Sequence, residues 1–454
     1  MGVLDNSLLN IYFIIVFLTM IFAFIRVGIT KTSLFIILVF WGGLFQYVGY
    51  LTNSDFYNYY KIAIVVYLLA LVFQKDYISL SLTKKNQNII IAYLIFTISF
   101  LISYFLRGGG IITILSQFFY KFSFVFFAFM YFYAYIKDKS RLEYIKKVLL
   151  TVISLQIFLS VVKILIFGLG VEPVVGSMSA RGAGNAVVLP ISALVFYWLI
   201  KNGHFSYKDW IYSLLIFIIA IASGKRQPVI FYPIFIFLLF YYLKSSKFKF
   251  ANIFIYVPLV LVIFYLGVRL VPSLTPENKV WGSFDMKYVT SYSMKYYFGT
   301  DNLNYLLSGN YDYSFGRGSG FIYYFHPDKL NLDTPDKIMF GNGLYDVASM
   351  EHGRFTATGI ADYGIEHQGL IGEAGAILYS LGYLGIISLI ILSYFILKSC
   401  NNKKLFIILF IYYLWDALFY YNQFVFGAQS AIVILFIVFY SRYEYRDKNI
   451  IIER

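Results

Sequence analysis

The chain has one cysteine, four histidines and nine prolines in 454 residues, and only 13% of its residues are charged. The lone Cys400 cannot close an internal disulfide, and one thiol cannot build a cysteine metal cluster. A soluble domain carries about 25% charged residues. The shortage of charge therefore excludes a soluble enzyme, a disordered chain and a secreted disulfide scaffold. What fills the composition is apolar: 60% hydrophobic residues, 21% aromatic residues and a mean hydropathy of +0.72. That is the composition of an all-α polytopic membrane protein. Acidic residues are scarce as well, 23 against 37 Lys and Arg, for a net charge of +14. In a soluble protein this excess points to nucleic acid. Here it points to membrane topology first and to an anionic lipid-linked substrate second, and no nucleic acid is expected.

About 20 apolar residues cross the ~30 Å hydrocarbon core. Thirteen candidate spans (12–14, depending on how the short runs are divided) lie near 8–26, 33–51, 58–73, 88–106, 111–136, 148–167, 185–200, 210–223, 228–243, 250–271, 371–397, 404–421 and 424–440. The N-terminus has no basic segment before its first apolar run, and that run is long enough to span, so it reads as a helix and not a cleavable signal. With the N-terminus outside and the C-terminus cytoplasmic, 22 of the 37 basic residues fall in seven short cytoplasmic segments. The positive-inside rule selects this orientation. The domain plan is ten spans over 1–271, a large extracytoplasmic loop with short helices over 272–370, and three spans with a tail over 371–454.

The loop holds three of the four histidines and a crowd of tyrosines, among them Tyr288, Tyr292, Tyr296, Tyr297, Tyr311, Tyr313, Tyr323 and Tyr324. Aromatic faces with polar tips suit sugar rings, and the alternative is a helix over 284–298 lying in the membrane interface.

Basic residues that break the inside-positive pattern carry the functional signal. Arg181 sits in the outer turn Ser179-Ala-Arg-Gly-Ala-Gly-Asn185, and Lys225 and Arg226 in Ser223-Gly-Lys-Arg-Gln-Pro228. Lys61, Lys163 and Arg269 fall near outer span ends, and Lys121 lies inside its span. Charge within a membrane costs roughly 2.5–3.5 kcal/mol on insertion scales, so each is a functional-site candidate. Snorkelling to the interface accounts for Lys61 and Arg269. Short Gly-bearing turns with Arg forks suit phosphate oxygens, so Arg181, Lys225 and Arg226 predict an anionic headgroup, with a lipid pyrophosphate as the natural form. His367, beside Glu366 where the loop re-enters the membrane, is the candidate general base, with His352 in reserve. The two histidines lack HExxH or HxH spacing, so no metal site and no cofactor are expected.

These features resemble a known family. The segment Asp336-Lys-Ile-Met-Phe-Gly-Asn-Gly-Leu344 looks like the FG-x-GL element of Wzy-type O-antigen polymerases and O-antigen ligases. Ser314-Phe-Gly-Arg-Gly-Ser-Gly-Phe-Ile322 resembles the family's preceding Gly-Arg segment. His367-Gln368 followed by Gly382-Tyr-Leu-Gly385 resembles its His-Asn and Gly-x-x-Gly, with Gln368 standing where the family has Asn. Ser223-Gly-Lys-Arg226 is similar to its Ser-Arg turn, with an extra Lys. The resemblance implies a metal-independent, inverting glycosyltransferase of the bacterial inner membrane, multi-pass, with its active face periplasmic. The implied donor is an oligosaccharide on undecaprenyl pyrophosphate. The acceptor is a second lipid-linked repeat unit for a polymerase, or lipid A-core for a ligase. Lipopolysaccharide or related polysaccharide biosynthesis is the implied setting, with a chain-length regulator protein as a partner. On this reading His367 deprotonates the acceptor hydroxyl, and Arg181, Lys225, Arg226, Arg317 and Arg354 bind the pyrophosphate. Glu366, Gln368, Lys121 and Lys163 support them. A flippase or transporter is the reading from a different class.

Overall fold

The computed structural model describes residues 6–54, 56–74, 84–107, 115–168, 176–177, 185–201, 206–222, 229, 253–298, 332–343, 373–419 and 427–452. No strand occurs among them. The apolar runs become helices because a helix satisfies its backbone groups within the segment. In chain order these are α1 (Asn6–Val27), α2 (Lys31–Phe40), α3 (Gly42–Thr52), α4 (Phe56–Val72), α5 (Gln87–Arg107), α6 (Phe124–Tyr135), α7 (Lys139–Phe167) and α8 (Asn185–Ile200). Then follow α9 (Tyr207–Ala222), α10 (Ile253–Leu270), α11 (Met286–Phe298), α12 (Pro335–Phe340), α13 (Glu373–Lys398), α14 (Lys403–Phe419) and α15 (Gly427–Ile452).

Four of the described helical segments are long and apolar enough to cross a membrane: Ser7–Val27, Gln87–Leu106, Lys139–Phe167 and Ile377–Lys398. The pair α2 and α3 makes a fifth if it counts as one span bent by 57°. Shorter apolar helices include Phe56–Val72, Phe124–Tyr135, Leu189–Ile200, Val260–Leu270 and Gly427–Arg442. The architecture is thus all-helical among the described residues and compatible with a membrane protein. The expected span at 228–243 lies outside the described residues, apart from Val229.

Local signals set the helix starts. Thr30 caps α2 with a capping box: its Oγ1 accepts from the Ser33 amide at 3.1 Å, and its own amide donates to Ser33 Oγ at 2.9 Å. Asp138 caps α7, its carboxylate accepting from the Arg141 amide at 2.9 Å. That hydrogen bonding, led by Ser140 and Arg141, holds the Asp138 carboxyl below its ordinary range.

α15 forms the centre. Residues 427–441 are buried without interruption, as befits a helix surrounded by others on every side. α6 and α8 pack against it, and α2 and α7 also reach it. α1 lies along α7, α3 and α4 pair, and α5 packs along α13. Aromatic side chains fill the gaps between helices. Tyr93 stacks on Phe126 at 3.8 Å, Phe13 on Tyr47 at 3.9 Å and Phe45 on Tyr60 at 4.1 Å. Such pairs contribute about 0.5–1.5 kcal/mol beyond their buried area.

Candidate functional site

Two segments that carry the family resemblance meet in space. α12 ends at Phe340, and Gly341-Asn-Gly343 then lies against α13 where that helix is broken at Gly382. The break, φ +65° and ψ −169°, interrupts the helical bonding beside the Tyr379 and Ser380 carbonyls. Asn342 N–H donates to Tyr379 O at 2.8 Å and Gly343 N–H to Ser380 O at 3.0 Å. Ser103 of α5 also donates to Ser380 O, at 2.9 Å. A three-residue segment is thus fastened by its backbone to the flank of a helix, and residues 341–343 are all buried.

Glycine is required on both sides of this junction. Gly341 has φ +76°, and a Cβ there would sit 2.5 Å from Leu381 N. A Cβ on Gly382 would sit 2.6 Å from Gly341 N and closer still to the Met339 carbonyl. Ahead of the junction, Lys337 pairs with Asp333 at 2.6 Å, which holds the Asp333 carboxyl below its ordinary range. Gly343 and Glu373 bound the sequence that carries His352, Arg354, Glu366, His367 and Gln368. Ser380 lies seven residues into α13, so the two ends of that sequence are held roughly 10 Å apart along the helix axis.

A second polar centre surrounds the break between α2 and α3. The sequence reading treats 33–51 as one span, but the helix bends at Trp41, just before Gly42-Gly43. The bend leaves the carbonyls of Leu38, Val39 and Phe40 outside the regular ladder, and side chains from elsewhere take them. Tyr60 of α4 donates to Leu38 O. Gln429 of α15 donates to Val39 O at 3.1 Å. Gln156 of α7 and Ser177 donate to Phe40 O at 3.3 and 3.0 Å. No water reaches the core of a bilayer, so a helix broken at such a depth would need partners of this kind within the protein.

Gly176 and Ser177 extend this network. Ser177 N–H donates to Gln156 Oε1 and Gly176 N–H to Ser160 Oγ, each at 2.8 Å. Lys163 donates to Gly176 O at 2.9 Å, beneath the Tyr12 ring at 5.1 Å, and Tyr12 Oη donates to the same oxygen at 2.8 Å. Lys163 is 5% exposed. Its Nζ is engaged inside the bundle, where it ties α7 to the Gly176 carbonyl.

Arg269 stands at the end of α10. Its guanidinium donates to Gly282 O at 2.9 Å and stacks over Trp281 at 5.6 Å, clamping the start of the 272–370 insertion. Lys61 lies over the Tyr57 ring at 4.3 Å. The helix expected over 284–298 is α11, Met286–Phe298, with Tyr288 stacked on Tyr292 at 5.8 Å.

The other candidate residues lie outside the described ones: Arg181, Lys225, Arg226, Arg317, His352, Arg354, Glu366, His367 and Gln368. Lys121 belongs to a π-helical turn over Ser116–Ser123, and its side chain lies outside the described set. Sequence reasoning missed Gln156 and Gln429. The signal was available, since both are primary amides beside apolar runs of their helices, where an unpaired polar group is costly. No family model matches the chain, and no characterised protein or solved structure does so either.

Proposed function

We propose that the chain is an O-antigen or related surface-polysaccharide polymerase that joins undecaprenyl-pyrophosphate-linked repeat units at the periplasmic face of the inner membrane. The accompanying topology is thirteen spans with the N-terminus outside. The observation that supports this reading is the docking of Gly341-Asn-Gly343 onto the α13 break at Gly382. These two short segments resemble motifs of the Wzy-type family. They are well separated in the chain, yet they are neighbours through hydrogen bonds made by their own backbones.

In the proposed reaction the acceptor hydroxyl oxygen attacks the anomeric carbon of the donor. The bond from that carbon to the pyrophosphate oxygen breaks with inversion, and the hydroxyl proton passes to His367, with His352 as the alternative base. Undecaprenyl pyrophosphate leaves. Arg181, Lys225, Arg226, Arg317 and Arg354 stabilise the charge that develops on it. No nucleotide-sugar site is needed, because the donor arrives through the bilayer on its lipid.

The α2–α3 break is a feature that would suit transport, since transporters use discontinuous helices to hold ions. Its carbonyls are already taken by Tyr60, Gln156, Ser177 and Gln429, which favours a structural role.

The test uses purified protein with undecaprenyl-pyrophosphate repeat units. A ladder of chain lengths is expected without added metal and in the presence of EDTA. His367→Ala is expected to slow it by about 100-fold or more, the usual loss on removing a general base. A ladder that survives both His367→Ala and Arg226→Ala refutes the mechanism. Transfer only to lipid A-core identifies the ligase.

A further inference from the structure

At the other end of α7 from Lys163 lies a groove of about 510 Å³ between α1, α7, α8 and α9. Lys146 and Lys163 are 17 residues apart, so the two ends are separated by roughly 25 Å along the helix. The groove changes character along its length. Towards the start of α7 its lining carries Arg26, Lys146 and Lys147, and farther along α7 it is lined by Leu150, Leu155 and Tyr212. On α7 the lining positions Glu143, Lys147, Leu150 and Ser154 recur every three to four residues, so they share one face, and Lys146 to Leu155 covers roughly 13 Å.

The charges at this end do not cancel. Glu143 pairs with Lys146 at 3.0 Å. Asp209 does not line the groove and is engaged by Lys201 at 2.7 Å and by Ser206 at 2.6 Å. Arg26 and Lys147 have no acidic partner among the described residues, and both are exposed.

We propose that this groove binds one anionic glycerophospholipid, its headgroup phosphate against Arg26 and Lys147 and the start of one acyl chain along Leu150 and Leu155. Charge complementarity selects the headgroup, and the apolar side chains that continue from it along α7 select a lipid over a soluble anion. The site stands apart from glycosyl transfer and does not depend on it.

The full-length protein in detergent is presented with phosphatidylglycerol or phosphatidylcholine, and bound lipid is counted by native mass spectrometry. The wild type is expected to prefer phosphatidylglycerol by at least about tenfold, from the worth of each juxtamembrane cation. The double variant Arg26→Gln/Lys147→Gln is expected to bind it roughly thirty-fold more weakly and to lose the preference. Ser154→Trp, which fills the groove and leaves the cations in place, is expected to weaken both lipids. Lys139→Gln, an exposed charge on α7 outside the groove, is expected to change nothing. Equal binding of the two lipids by the wild type overturns the proposal, as does a preference that survives the double variant. Unchanged binding by Ser154→Trp reduces the effect to surface attraction and overturns it too. Displacement of phosphatidylglycerol by millimolar inorganic phosphate assigns the site to a free anion and rejects the lipid.

Discussion

Replacing Gly382 with alanine is the sharpest probe of the glycine junction. At φ +65° and ψ −169° the backbone occupies a region open almost only to glycine, and holding an L-residue there costs about 1–3 kcal/mol. The new methyl also meets Gly341 N at 2.6 Å, so the 341–343 segment must move away from α13. That movement breaks the bonds from Asn342 N–H and Gly343 N–H, worth about 1 kcal/mol each. The expected destabilisation is therefore about 3–5 kcal/mol. Gly28→Ala provides the control. Its φ is +81°, but nothing lies within 4 Å of the added methyl, so only the backbone term of about 1–2 kcal/mol applies. Thermal unfolding of the purified protein, followed by intrinsic fluorescence, should rank wild type above Gly28→Ala and Gly28→Ala well above Gly382→Ala. A Gly382→Ala protein that melts with the wild type would show that the loop is not fastened to the α13 break.

Gln156→Leu should lower stability by roughly 1–3 kcal/mol, because it strips Ser177 N–H of its acceptor inside the bundle; a chemical-denaturation midpoint equal to wild type would count against that role. Asp209 gives a pH signature. At the polar start of α9, Lys201 first and then Ser206 and Tyr197 hold its carboxyl well below the ordinary range. A depressed carboxyl adds stability above its unfolded value of about 4 and loses it as the pH falls below that, towards the lower folded value. The wild type should therefore lose thermal stability more steeply below about pH 4 than Asp209→Asn, and parallel profiles for the two would remove the assignment. Arg269→Ala should expose the 272–298 segment to protease more readily by freeing Gly282 O and the Trp281 ring, as a time course of limited digestion will record.

Much of the helical plan was legible in the apolar runs, and the cap of α7 was written locally in Asp138 and Arg141. Local patterns cannot report distant partners, and the α2–α3 break shows this. Gly42-Gly43 marks a weak point in the run, but the bend is tolerable only because Tyr60, Gln156 and Gln429 arrive from three other helices. Lys163 carries the same lesson. Its sequence position marks a cation near an outer span end, and its partner there, the Gly176 carbonyl, is one that only the folded bundle supplies. The junction of Gly341 with Gly382 was foreshadowed by two short motifs, although nothing in their spacing announced that their backbones would hydrogen-bond.

The bond from Gln429 to Val39 also bears on biogenesis. Donor and acceptor are 390 residues apart. At about 5–20 residues per second, synthesis brings Gln429 out of the ribosome about 20 to 80 seconds after Val39. Throughout that interval the bent second segment carries a carbonyl whose eventual donor does not yet exist. The last of the described helices therefore closes a bond opened near the start of the chain, and a chain stopped before residue 427 lacks the donor for the Val39 carbonyl.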